Sequence, residues 1–182
     1  MLARSICVFC GSRVGADPAY AASARALGQG LAAAGIGLVY GGGRIGLMGL
    51  VADAALAAGG TVHGVIPDFL QRREVAHAGA TAMEVTTSMH DRKARMFELA
   101  DAFVILPGGL GTFDETFEVI TWRQLGLHDK PILICDIAGW AQPLLALLDS
   151  SIAAGFAAPT ARALYERVPD IPSLLLRLGI RP

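Results

Sequence analysis

The chain has 182 residues, a length that suits one domain with one sizeable core and would leave two domains cramped. Apolar residues make up 53% and Asp, Glu, Lys and Arg only 17%, a low charged fraction for a small monomer, so a homodimer or higher homo-oligomer is expected to cover part of the apolar surface. A formal net charge of −1, with basic residues only in short groups such as "QRRE" and "HDRKAR", argues against nucleic acid as a partner.

Short β-rich runs alternate with Ala- and Leu-rich helical segments. This predicts an α/β protein with a three-layer Rossmann-like fold: a central parallel sheet of about six to seven strands with helices on both faces. No linker, repeat or low-complexity tract interrupts residues 1–182, which read as a single domain.

The opening "MLARSICVFCGS" holds an apolar run too short for a signal-peptide core, so a cytoplasmic location is expected. Its strand, Ser5 to Phe9, runs into the small-residue loop "CGSRVG", which carries Ser12. Cys7 and Cys10 form a C-x-x-C that straddles a strand end instead of opening a helix, which favours core packing over redox chemistry. With Cys135 the thiols are too few and too odd in number for a disulfide framework. Asp17 before Pro18 reads as an N-cap, and Gly35 closes the helix that follows.

A second strand, Gly37 to Tyr40, leads into Gly41-Gly42-Gly43-Arg44-Ile45-Gly46, which satisfies G-x-G-x-x-G, with Asp68 about twenty residues on as a dinucleotide fingerprint wants. Tight strand-to-helix turns need glycines without any ligand, and no Lys-Ser or Lys-Thr follows to make a P-loop. A helix over Leu47 to Ala58, ended by Gly59 and Gly60, precedes strands at Val62 to Ile66 and Thr81 to Val85. Ser88 can cap the helix "MHDRKARMFELA", with Asp91 three residues on. If residues 67–100 form the crossover, the strand from Ala102 to Leu106 neighbours the first strand at the reversal of strand order, and Ser12 and "PGGLGT" face one crevice. Thr112 is expected to open the next helix. After it come a strand at Pro131 to Cys135, a helix in "WAQPLLALLDSSIAAG" despite Pro143, and a weak strand at Tyr165 to Val168. The apolar segments are broken by glycines or by Asp149 before reaching membrane-spanning length.

The loop Pro107 to Thr112 is the most informative, because carboxylates follow it at fixed offsets. Glycines at 108, 109 and 111 let backbone approach a phosphate, and the amides of a helix N-terminus supply donors and a favourable dipole. Thr112 and Glu115 stand three apart and can share one face. The same spacing is that of a capping box, in which Glu115 bonds back to the Thr112 amide, and spacing alone leaves both readings open.

Taken together, "CGSR", "YGGGRIGLMG", "MHDRKARM", "PGGLGTFDE" and "TWRQLGLHDKP" resemble the Lonely Guy family of cytokinin-activating phosphoribohydrolases. These motifs stand in the family's order and cover most of the chain from Cys10 to Pro131. The resemblance implies hydrolysis of the N-glycosidic bond of an N6-substituted adenosine 5′-monophosphate, giving free base and ribose 5-phosphate. It implies Arg92 and Glu115 as the catalytic pair, and nucleotide contacts at Glu74, Arg92, Lys93, Gly109, Leu110, Gly111, Thr112, Phe113, Asp114, Glu115 and Thr121. Ser12, Gly42, Gly43 and Gly108 join the candidate site from the neighbouring loops. The lysine decarboxylase label often given to such proteins finds no pyridoxal-phosphate lysine motif here.

Breaking the C1′–N9 bond builds positive charge on the ribose, so a carboxylate such as Glu115 near C1′ would stabilise an oxocarbenium-like transition state and orient the attacking water. Arg92 would clamp the nucleotide, but a guanidinium is a poor proton donor. Asp114 and Glu118 are rival carboxylates of lower weight. His63, His77, His90 and His128 show no metal spacing, and neither metal nor cofactor is expected. Trp122, Phe113 and Phe117 read as core or as a wall for the base, and Met89 and Met96 as candidates to line an N6 pocket. Rival functions are a plain AMP nucleosidase, a non-catalytic nucleotide or phosphate carrier of the same fold, and an NAD-dependent oxidoreductase.

Overall fold

The computed structural model describes residues 4–71 and 76–180. In its first half the elements are β1 (Ser5–Phe9), α1 (Pro18–Ala33), β2 (Gly37–Tyr40), α2 (Gly46–Ala57), β3 (Val62–Pro67), α3 (Asp68–Gln71) and β4 (Ala82–Thr86). Then follow α4 (Met89–Leu99), β5 (Ala102–Ile105), α5 (Leu110–Gln124), β6 (Ile132–Cys135), α6 (Gln142–Ala153), β7 (Glu166–Val168) and α7 (Ile171–Arg177). Short 3-10 turns at Ile137–Gly139 and Pro159–Leu164 flank α6.

The described strands make one seven-stranded sheet in the order β4-β3-β2-β1-β5-β6-β7, and every pair is parallel. All seven strand positions read from the sequence are found, and β1 lies beside β5 as the crossover argument required.

Alternation along the strands divides the core in two. Ile6, Val8, Leu38, Tyr40, Val104 and Leu106 face α1, α2 and α7, where Leu27, Leu31, Val51, Ala55 and Leu174 meet them. Cys7, Phe9, Val39, Phe103 and Ile105 face the other layer, packed against Met96, Val119, Ile120 and Leu144 of α4, α5 and α6. Burial on both faces is why these strands are continuous apolar runs.

Helix ends follow local chemistry. Asp17 caps α1 by accepting from Ala19 N at 2.8 Å, and Ser88 caps α4 by accepting from Asp91 N at 3.1 Å while its hydroxyl donates to the Asp91 carboxylate at 2.8 Å. Three boundaries differ from expectation. The N-cap of α5 is Gly109, not Thr112. Helix α6 begins at Gln142 with Pro143 in its first turn, which leaves Trp140 in the preceding turn. Helix α7 was not foreseen, although Asp170 and Pro172 are ordinary start signals and Asp170 accepts from Ser173 N at 2.8 Å.

Candidate active site

The three glycine loops meet at the carboxyl ends of β1, β2 and β5, at the reversal of strand order. The Gly11 peptide joins them: its N–H donates to Pro107 O at 3.0 Å and its carbonyl accepts from Leu47 N at 2.9 Å. A cleft of about 570 Å³ opens beside this junction, lined by Ser12, Tyr20, Leu47, Trp140 and residues 107–110 among others.

The glycines after β5 differ in why they are glycines. A Cβ at Gly108 would stand 2.0 Å from Thr112 Oγ1, so packing forbids one. At Gly109 and Gly111 an added Cβ would meet nothing within 4 Å, and neither residue has left-handed φ. The fold does not require glycine at either place. Open space there borders the first-turn amides of α5, which have no acceptors inside the helix. Leu110 between them is 87% exposed.

With Gly109 as N-cap, Thr112 lies inside the first turn, so Thr112 and Glu115 do not form the capping box. Thr112 is buried, and its carbonyl accepts from Thr116 Oγ1 at 2.6 Å. Glu115 points inward from the next turn and is only 9% exposed. The local rival to a functional role for Glu115 is thereby removed.

Arg92 projects from the first turn of α4 and is 5% exposed. Its Nε donates to Val65 O at 3.2 Å, its Nη2 to Gly41 O at 3.1 Å, and its Nη1 lies 3.7 Å from Met89 Sδ. Gly41 leaves the room: a Cβ there would stand 2.1 Å from Arg92 Nη2. Glu115 and Arg92 both act electrostatically on the Cys7 thiol. Burial chiefly raises the Cys7 pKa, with Glu115 adding to it and Arg92 opposing. Cys10 is likewise raised by burial and then by Glu115. Both buried side chains therefore lie within electrostatic reach of β1.

Lys93 turns to the outer side of α5, where its Nζ pairs with Asp114 at 3.2 Å and Glu118 at 3.0 Å. Burial acts to lower the Lys93 pKa, but the hydrogen bonds it donates to Glu118 and Asp114 outweigh this and leave it raised. Asp114 and Glu118 thus serve Lys93. Thr121 is exposed and lies nine residues, roughly 13 Å, along α5 from Thr112, away from the glycine loop. Gly42 and Gly43 hold backbone: Gly42 O accepts from His77 N at 3.0 Å, and Gly43 bridges Ala76. Gly42 takes φ 77 with Ile66 packed where a Cβ would go, so the fold itself demands this part of the G-x-G-x-x-G. Glu74 lies outside the described residues.

Met89 touches Arg92, but Met96 is 1% exposed and belongs to the core, so it cannot line an N6 pocket. Trp122 packs edge-on against Phe97, and Phe113 stacks on Trp140 at 5.7 Å. His77 Nε2 meets Asp53 at 2.9 Å while His77 Nδ1 accepts from Gly79 N at 3.1 Å, a structural role. Among the described residues, no group of three His, Cys, Asp or Glu is placed to hold a metal ion. Sequence reasoning missed Trp140, whose indole N–H donates to Gly108 O at 3.2 Å. Its assignment to a helix hid it.

A family model described as "possible lysine decarboxylase" matches residues 48–178. A cytokinin riboside 5′-monophosphate phosphoribohydrolase of Arabidopsis thaliana is 44% identical over 175 residues, covering 96% of this chain and 82% of the relative. One of the same name from Rhodococcoides fascians is 47% identical over 169 residues, covering 92% and 85%. Among solved structures, the molybdenum cofactor binding protein of Rippkaea orientalis has a TM-score of 0.72 at 20% identity, covering 96% of this chain and 94% of that one. The Moco carrier protein of Chlamydomonas reinhardtii gives the same values. At that identity the likeness shows the shared fold alone.

Proposed function

The chain belongs to the Lonely Guy family of cytokinin riboside 5′-monophosphate phosphoribohydrolases, and from that premise we propose that it hydrolyses the N-glycosidic bond of N6-substituted adenosine 5′-monophosphates to free base and ribose 5-phosphate. What supports the reading most is that Glu115 and Arg92 are both buried and both within electrostatic reach of Cys7, while amides nearby open onto space at Gly109 and Gly111.

In this reading the 5′-phosphate rests on the first-turn amides of α5, with Ser12 and Thr112 at its margin. Arg92, already fixed by the Gly41 and Val65 carbonyls, clamps the nucleotide with its remaining donors. Glu115, a turn further along α5, faces the ribose, where its carboxylate stabilises charge building at C1′. It also accepts a proton from the attacking water as the water oxygen bonds C1′ and the C1′–N9 bond breaks. The bond's electron pair leaves on the base, and solvent supplies the proton that the base then takes up.

Decarboxylation through a lysine Schiff base fits poorly. Of the two lysines, Lys93 is held cationic by two carboxylates, and Lys130 binds Phe97 O at 2.7 Å just before β6, at the opposite edge of the sheet. We place the protein in the cytoplasm as a homodimer or larger homo-oligomer. Among the described residues no helix is long and apolar enough to cross a membrane, and Leu110, Leu125, Leu127 and Phe156 are exposed.

Purified protein incubated with isopentenyladenosine 5′-monophosphate, AMP and both ribosides, followed by chromatography of free base, tests this. Release from the prenylated monophosphate ahead of AMP is expected. Release from AMP alone makes the protein an AMP nucleosidase, and release from neither sinks the enzymatic reading.

A further inference from the structure

We propose that Trp140 is a positioning residue that locks the Gly108–Gly109 peptide with its N–H toward the substrate's 5′-phosphate, and so sets the preference for monophosphate over riboside. The proposal rests on the reading that the N-terminus of α5 holds that phosphate.

A planar trans peptide points its C=O and N–H in opposite directions. The Gly108 carbonyl accepts from the Trp140 indole at 3.2 Å, from the β6 side of the loop. With the indole on the β6 side, the N–H of Gly109 is therefore turned away from it, toward the β1 side of the β5 loop. Among the described residues no backbone acceptor takes it. Without the indole, a peptide between two glycines has little to hold its plane. A flip would present a carbonyl oxygen to an anion where an amide now stands.

The protein holds Trp140 in place at some cost. Asp136, 6% exposed, accepts from Ala141 N at 2.8 Å and from Gln142 Nε2, and pairs with Arg167 at 2.7 Å. These bonds fold residues 136–141 into a tight turn in which Ala138 takes φ 50, a left-handed conformation unfavourable for alanine. The ring then stacks on Phe113 of α5, with an interplanar angle of 9°. A buried carboxylate with its exposed Arg167 partner and a strained residue thus converge on the aim of one indole N–H.

The test compares wild type with Trp140→Phe and with a protein carrying 3-benzothienylalanine at 140, which keeps the indole's shape and replaces N–H by sulfur. Steady-state rates are measured on isopentenyladenosine 5′-monophosphate and its riboside, with calorimetric binding of ribose 5-phosphate and a thermal melt of each protein. Losing one hydrogen bond predicts that KM for the monophosphate and Kd for ribose 5-phosphate rise about three- to tenfold in both variants. Expected alongside are an unchanged kcat, an unchanged kcat/KM on the riboside and a melting temperature lowered by no more than about 2–4 °C. Variants that bind ribose 5-phosphate as wild type does, or that lose kcat with KM intact, overturn the assignment to Trp140 and leave the phosphate cradle standing. Wild type that prefers ribose 5-phosphate no more than ribose overturns the cradle, and the role of Trp140 with it.

Discussion

Gly41→Ala probes the proposed catalytic pair without replacing either member. The backbone tolerates alanine at 41, since φ there is not left-handed. The added Cβ, however, would stand 2.1 Å from Arg92 Nη2 and 3.1 Å from Met48 Sδ. Real Cβ contacts keep beyond 3.0 Å, so the guanidinium must retreat by about 1 Å. That breaks its bond to Gly41 O and displaces the donors facing the nucleotide. A misplacement of roughly 1 Å in a positioning group costs on the order of 10²-fold in rate. Overpacking of this kind destabilises by about 1–3 kcal/mol, or roughly 2–12 °C in Tm for a chain of this size. Initial rates of base release, read beside a thermal melt, separate the two effects. If Gly41→Ala folds and retains activity within about twofold, Arg92 need not sit where the Gly41 and Val65 carbonyls place it, and the proposed clamp is wrong.

Three further outcomes are expected. Glu115→Gln removes the negative charge while keeping shape, so turnover should be lost with AMP affinity and Tm nearly intact; surviving activity would reduce Glu115 to a structural residue. Cys7 and Cys10 have pKa values raised chiefly by burial, and Cys135 is pushed up to about 12 by burial, so native protein should resist iodoacetamide at pH 8 and all three cysteines should label only after denaturation. Rapid labelling of the folded protein counts against this. Glu84 has its pKa lowered first by its hydrogen bond to Arg95, so its stabilising contribution is complete above the ordinary carboxylate range and fades as pH falls through the lowered folded value. Glu84→Gln should therefore flatten the acid limb of a Tm-against-pH curve, and an unaltered limb refutes the coupling.

Much of this molecule was legible because its physics is local. Strands buried on both faces must be apolar runs, and Asp17 and Ser88 cap by hydrogen bonds within three residues, so both features can be read along the chain. The α5 start was not legible, because Thr112 offers better capping chemistry than Gly109. Gly108 packs too closely on Thr112 and Gly11 to carry a side chain, and the helix starts three residues before the better cap. That shift removed the capping-box reading of Glu115, which spacing had left open, and its catalytic role stands as a proposal. Trp140 was hidden for a related reason: its turn is organised by Arg167, thirty-one residues from Asp136 in sequence. The two glycine loops also traded meaning. Steric demand explains Gly41 and Gly42, whereas Gly109 and Gly111 have no neighbour to avoid.

The Gly11 peptide, bonded to Pro107 on one side and Leu47 on the other, makes the three loops one mechanical part. An engineer wishing to move the 107–112 loop, the proposed anion cradle, onto another parallel sheet would have to transplant the 10–12 and 46–48 crossings with it. A library that varies one loop alone samples mostly broken junctions, so productive diversity in this scaffold lies in covarying triplets of loops.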